Sequence, residues 1–111
     1  NRTLQVGQVT NKLKILAKDL AVPVVALSQL NRAVEGRNDR RPTLADLRES
    51  GNIEQDADLV MFLYRDEYYN PDSAEKGVAE VIAAKNRHGA IATTKLAFSG
   101  EQIRFGELPY V

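Results

Sequence analysis

Two short runs without a polar residue, Val-Val-Ala-Leu at 24–27 and Leu-Val-Met-Phe-Leu at 59–63, set the strongest limit on how this chain can fold. A strand that apolar offers no face to water, so both runs predict strands covered on two sides, the arrangement of a parallel α/β sheet. The first run is preceded by Val6, Val9, Leu13, Leu16 and Leu20 at spacings of three and four, with polar residues between them. This is the pattern of an amphipathic helix, and Pro23 stops it. Its apolar stripe is expected to rest on the strand that follows.

From residue 30 to 42 the apolar pattern lapses. Arg32, Arg37, Arg40 and Arg41 appear beside Gly36 and Asn38, which predicts an exposed, mobile loop. Thr43 is placed to cap a short helix through Leu44, Ala45 and Leu47, with Asp46 favouring its N-terminus and Ser50-Gly51 interrupting it. Residues 68–76 are a polar connection. The remainder predicts a meander, with strands over 78–86, 93–98 and 102–105 joined by turns at 87–90 and 99–100. The expected fold class is therefore α/β, a mixed sheet with a parallel centre and antiparallel C-terminal strands. Two buried strands need cover on both faces and only one long helix is visible, so residues 1–111 read as the later part of a larger α/β domain.

Length and composition agree with one small domain or part of one, since 43% of the 111 residues are hydrophobic and 27% charged. Basic and acidic side chains number 15 each, so no global charge points to a polyanionic partner. The first 50 residues nevertheless carry a surplus of four positive charges and the rest a surplus of four negative ones, which allows a basic loop to face a polyanion. The same split occurs in proteins with no such partner. The absence of cysteine removes disulfides, thiolate nucleophiles and Cys-ligated zinc. The single histidine, His88, has no partner at metal-ligand spacing and no carboxylate in sequence to orient it, so it reads as an exposed turn residue. No apolar run approaches a membrane span and no signal core opens the chain, so a cytoplasmic location is expected.

Four groups of residues could carry chemistry or binding. Ser28 and Gln29 end the first predicted strand, where ligands of open α/β sheets gather. A neutral amide there can hydrogen-bond a terminal phosphate, or simply tie off a polar strand end. Residues 46–58, DLRESGNIEQDAD, place Arg48 and Glu49 before Ser50 and Gly51. Backbone N–H groups around a glycine, together with an arginine, can grip nucleic-acid phosphates without base preference; a capped connection with a solvated charged face is the alternative. Lys85 and Arg87 stand two apart at a strand end, so both point to one face and can converge on one anion. That suits an arginine-finger role toward a γ-phosphate, although strand ends often carry solvated cations. Tyr64, Tyr68 and Tyr69 can stack bases, or pack at a strand end or subunit contact.

Taken in order, residues 22–70, VPVVALSQLNRAVEGRNDRRPTLADLRESGNIEQDADLVMFLYRDEYYN, followed by AAKNRHG at 83–89, closely resemble the late motifs of DnaB-type replicative DNA helicases. The resemblance covers nearly the whole chain, and LRESGNIEQDAD is its most discriminating block. It implies a RecA-like ATPase motor, a homo-hexameric ring that unwinds duplex DNA by translocating on single-stranded DNA. ATP and Mg2+ are the implied cofactors, and a primase and a helicase loader the implied partners. Gln29 would be the sensor coupling γ-phosphate to the DNA-facing loops. Arg48, Glu49 and Gly51 would contact the DNA backbone. Lys85 and Arg87 would reach into the ATP site of the adjacent subunit. No G-x-x-x-x-G-K-[ST] pattern is present; the family places that loop and its catalytic and Mg2+-holding carboxylates upstream, so the chain by itself is expected neither to bind nor to hydrolyse ATP. Ala90-Ile91 stands where many relatives carry proline. The competing readings are a non-catalytic RecA-like nucleic-acid-binding or adaptor module, and a RecA-like ATPase with recombination or clock duties.

Overall fold

The structure is a computed structural model that describes residues 2–30, 32–50 and 52–108, with side chains other than those of residues 2–4 and 48–50. Helix α1 spans Arg2–Leu20. It ends in a left-handed residue, Ala21 at φ 52°, with the Val22 N–H donating to Ala17 O at 3.1 Å and the Ala21 N–H to Lys18 O at 3.2 Å. These are the two bonds of a Schellman cap, closed by Pro23. Two 3₁₀ helices follow, Arg32–Gly36 and Leu44–Ser50, then short helix α2, Ile53–Asp56. Strand β1, Leu59–Tyr64, leads through helix α3, Asp66–Tyr69, to β2, Val78–Asn86, β3, Ala92–Ser99, and β4, Arg104–Gly106.

The four strands form one sheet in chain order, each antiparallel to the next. The meander is as the alternating turns predict. The chain is thus mixed α/β, but the expected parallel centre has no counterpart among the described strands. Residues 24–27 are extended without a sheet partner, with Val25 84% and Leu27 97% exposed. A strand exists only through a ladder with a neighbour, and no described strand supplies one to this segment.

One face of β1 carries the core. Val60 and Phe62 pack with Leu47, surrounded by Leu30, Leu44, Ile53, Ala57, Ile82 and Ala84. The other face of β1, Leu59, Met61 and Leu63, is exposed, which corrects the expectation that the run is covered on both sides. The stripe of α1 is likewise open rather than resting on the next segment, since Val9, Leu16 and Leu20 are exposed. Val6 and Leu13 of the stripe are half-buried, and polar contacts beside it fasten α1: the Thr10 hydroxyl donates to Asp56 Oδ2 at 2.8 Å, and Lys14 donates to Asp56 O and Asp58 Oδ1, both at 2.9 Å.

The arginine-rich stretch is largely exposed, as expected, but it is tied down by ion pairs. Arg37 grips Asp46 through two N–H···O contacts of 2.7 and 3.0 Å, and Arg41 grips Glu80 through two of 2.8 and 3.0 Å. Val34 and Pro42 are buried beneath it. Paired guanidinium forks fix a loop that composition alone reads as solvated. Asp46 also accepts the Thr43 N–H at 2.7 Å, which is the backward half of a capping box. No helix among the described residues is long and apolar enough to cross a membrane.

Candidate functional site

A β-bulge decides where Lys85 of β2 points. Val60 of β1 lies opposite Lys85, yet Met61 lies opposite Ala83, so Ala84 is an extra residue in the ladder. In an unbroken ladder Ala84 would share the core face with Ile82 and Glu80, and Lys85 would turn to the other side. The bulge instead keeps Lys85 on the side where α2 packs. Lys85 Nζ there donates to Glu54 O at 2.6 Å and Gln55 O at 3.3 Å.

Arg87 converges on the same place. Its Nη2 donates to Gln55 O at 3.3 Å, its Nη1 to the Asp58 carboxylate, and its backbone N–H to Asp58 O at 2.9 Å. Glu54 and Gln55 belong to a helix that stops at Ala57, so their carbonyls have no onward helical partner and accept the two cations instead. Asp58 Oδ1 is shared, because Lys14 Nζ of α1 donates to it as well. The Lys14 ammonium hydrogen-bonded to it, with the charge of Arg87 added, holds the Asp58 carboxyl below the usual carboxylate range. Both Nη atoms of Arg87 are hydrogen-bonded, yet its side chain remains 42% exposed.

The turn that follows is braced by Asn86. Its Oδ1 accepts the His88 N–H and its Nδ2 donates to Ala90 O, both at 3.3 Å. Gly89 leaves room for this, since a Cβ there would stand 2.9 Å from Asn86 Nδ2. His88 is exposed on the turn.

The other sequence-expected residues lie apart from this cluster. Gln29 sits in the unpaired extended segment with its side chain exposed, and among the described residues no hydrogen bond links it to Lys85 or Arg87. Arg48 and Glu49 lie in the 3₁₀ helix Leu44–Ser50, which Leu47 anchors in the core. Their side chains, and all of Gly51, fall outside the described residues. The stretch from 48 to 51 leads directly into α2, whose carbonyls hold Lys85 and Arg87.

Lys14 and Asp58 carry no signal that sequence reasoning could have singled out. Positions 14, 58 and 87 have no local spacing in common, and only the fold joins them. A second group lies at the far end of β1. Tyr64 and Tyr69 stack at 5.9 Å, Tyr68 meets Tyr69 edge-on at 5.0 Å, and Arg41 covers the Tyr64 ring at 4.8 Å. Arg65 lies 4.3 Å over Phe98 and pairs with Glu67 at 3.0 Å. A shallow cavity of about 170 Å³ opens there, lined by Leu63, Tyr64, Arg65, Tyr68 and Tyr69.

Similarity to known proteins covers this whole arrangement. The model of the DnaB-like helicase C-terminal domain family matches residues 1–107. The replicative DNA helicase DnaB of Pasteurella multocida is 59% identical over 108 residues, covering 97% of this chain and 23% of that protein. The DnaB of Geobacillus stearothermophilus is 55% identical, covering 97% and 24%. Among solved structures, an ATPase domain superposes with a TM-score of 0.95 at 52% identity, over 98% of this chain and 38% of that one. A DnaB-like replicative helicase, solved for its interactions with primase, gives 0.94 at 52% identity over 98% and 27%. The chain spans about a quarter of the length of the curated relatives it matches.

Proposed function

Since the chain belongs to the family of DnaB-like helicase C-terminal domains, we propose that it is the C-terminal portion of the RecA-like motor of a hexameric replicative DNA helicase. The motor hydrolyses ATP with Mg2+, translocates on single-stranded DNA and so unwinds the duplex. The observation that carries this reading is the convergence of Lys85 and Arg87 on the Gln55 carbonyl at the end of β2, with the Arg87 side chain still 42% exposed.

A phosphoryl group in transfer spreads negative charge over its oxygens, and catalysis there is mostly positioning and charge stabilisation. Lys85 and Arg87 fit that demand as a compact pair of cations delivered to the γ-phosphate bound by the adjacent subunit. Arg48, Glu49 and the backbone at Gly51 hold DNA phosphates without reading bases. Gln29, at the end of an extended segment, reports the state of the γ-phosphate to that loop through an uncharged amide. Among the described residues no three His, Asp or Glu side chains gather as cation ligands, so Mg2+ would be held by other parts of the motor. The open faces of β1 and α1 support the same reading, because a covered parallel sheet needs further strands and helices against them. A primase and a helicase loader are the proposed partners, the former because one solved relative is described with primase.

ATP hydrolysis tests this reading, measured on the chain alone and on the protein extended toward its N-terminus to the length of its relatives, with and without single-stranded DNA. DNA-stimulated turnover in the extended form alone is the expected result. Turnover in neither form would favour a non-catalytic RecA-like adaptor.

A further inference from the structure

Asp58 stands at the centre of a three-residue chain of charge that crosses the fold. Lys14 comes from α1, Asp58 from the residue pair that leads α2 into β1, and Arg87 from the turn after β2. Resting on the reading that Arg87 acts on a neighbouring subunit's nucleotide, we infer that Asp58 is the positioning residue for that arginine and that Lys14 keeps Asp58 from neutralising it.

The geometry carries both halves. Arg87 has a long, flexible stem, and a guanidinium free to roam loses much of its value as a stabiliser of developing charge, because that value comes from being in place beforehand. Here it is fixed from three sides: Asp58 carboxylate on Nη1, Gln55 carbonyl on Nη2, and the Asp58 carbonyl on the Arg87 backbone N–H. The same residue thus holds both the head and the base of the side chain. A guanidinium has five N–H donors and these two contacts use two of them, which leaves donors for an anion.

A carboxylate against a finger arginine would ordinarily cancel the charge the finger is there to deliver. Lys14 Nζ, 2.9 Å from the same Oδ1, meets the Asp58 charge independently, and Lys85 adds a further cation on the Gln55 carbonyl. Asp56, the nearest other carboxylate in the segment, is turned toward the Thr10 hydroxyl. The cluster therefore keeps a positive surplus while the arginine stays oriented. It also gives the DNA-contacting stretch a route to the finger: any shift of α2 moves Gln55, Asp58 and Arg87 together.

Full-length ring protein carrying this chain provides the test, in four variants compared with Arg87→Ala. Asp58→Asn keeps the shape and removes the charge; kcat is expected to fall roughly 10- to 100-fold, the size of a loss by misplacement. Nucleotide KM and the affinity for a non-hydrolysable ATP analogue should stay within about twofold, as befits an interaction made in the transition state. Asp58→Asn added to Arg87→Ala should slow turnover no further. Lys14→Met should lower kcat with KM unchanged, and Lys14→Arg should restore it. Wild-type kcat in Asp58→Asn while Arg87→Ala is inactive would overturn the role of Asp58 and leave the finger standing. Normal turnover in Arg87→Ala would overturn the finger and this inference with it. Should Asp58→Asn fail to assemble, the Lys14 pair decides: loss with rescue by Arg supports the inference, and an unchanged kcat in Lys14→Met refutes it.

Discussion

Arg41 holds the buried Glu80 carboxylate with both arms of its guanidinium, Nη2 to Oε2 at 2.8 Å and Nε to Oε1 at 3.0 Å. Glu80 is a β2 residue only 6% exposed, opposite Tyr64 of β1, and Arg41 also roofs the Tyr64 ring. Removing Arg41 would leave a largely buried carboxylate without its bidentate partner. Arg41→Ala is expected to cost roughly 2–3 kcal/mol, less than breaking a fully buried pair because Arg41 itself is half exposed. A fall in the urea midpoint at unchanged slope is the check. Glu80→Gln with Arg41 kept should cost less, since the amide still accepts one of the two hydrogen bonds.

Ala21 occupies a left-handed position at the end of α1 that glycine would fill without strain. Ala21→Gly is expected to stabilise the protein by roughly 0.5–1 kcal/mol, read as a higher urea midpoint. A lower midpoint would mean that the methyl group contributes packing that outweighs the backbone strain.

Much of the fold is legible in the sequence where the pattern is local. The β2 to β4 meander follows from alternation and turn residues, and β1 from its apolar run. Residues 24–27 show the limit of that logic. Their composition specifies a buried strand, but the ladder that would make them one must come from elsewhere, and they lie open here. The pinning of 37–41 is invisible for a different reason: Arg37–Asp46 spans nine positions, but Arg41–Glu80 spans 39, and only the sheet brings the second pair together. Lys85 and Arg87 can be named from a strand end and a spacing of two. The bulge at Ala84 that turns Lys85 toward α2, and the Lys14–Asp58 pair behind Arg87, cannot, because neither leaves a local signal.

Acid should weaken this fold through four carboxylates. Asp46 is held below its usual range by Arg37, Asp58 by Lys14, Asp66 by the hydroxyls of Ser73 and then Tyr64, and Glu67 by the Gly77 N–H and then Arg65. A depressed carboxyl contributes stability that is complete above its ordinary value and lost as pH falls through the folded value. Urea midpoints should therefore decline steadily below about pH 4. At the other end, burial, helped by Asp66, pushes the Tyr64 phenol from 10.0 to about 12. A raised group stabilises below its ordinary value, so a second decline is expected as pH rises from 10 to about 12, and Tyr64→Phe should remove it.

Arg48 lies three residues before the glycine of the stretch proposed to contact the DNA backbone. In the full-length protein Arg48→Ala is expected to weaken single-stranded DNA binding equally across base compositions. The slope of log affinity against log salt should fall by about 0.7, one phosphate contact on a single strand. An unchanged slope would place the DNA contact elsewhere.

Lys85 and Arg87 are proposed to act across a subunit boundary, and subunit mixing tests this most directly. One full-length variant carries Arg87→Ala with its own nucleotide loop intact, and the other has an inactive nucleotide loop with Arg87 intact. Neither is expected to turn over ATP alone. Mixed rings create interfaces where an intact Arg87 faces an intact nucleotide, so partial recovery of DNA-stimulated ATP hydrolysis is expected. Assembled mixed rings that remain inactive at every ratio would contradict action in trans.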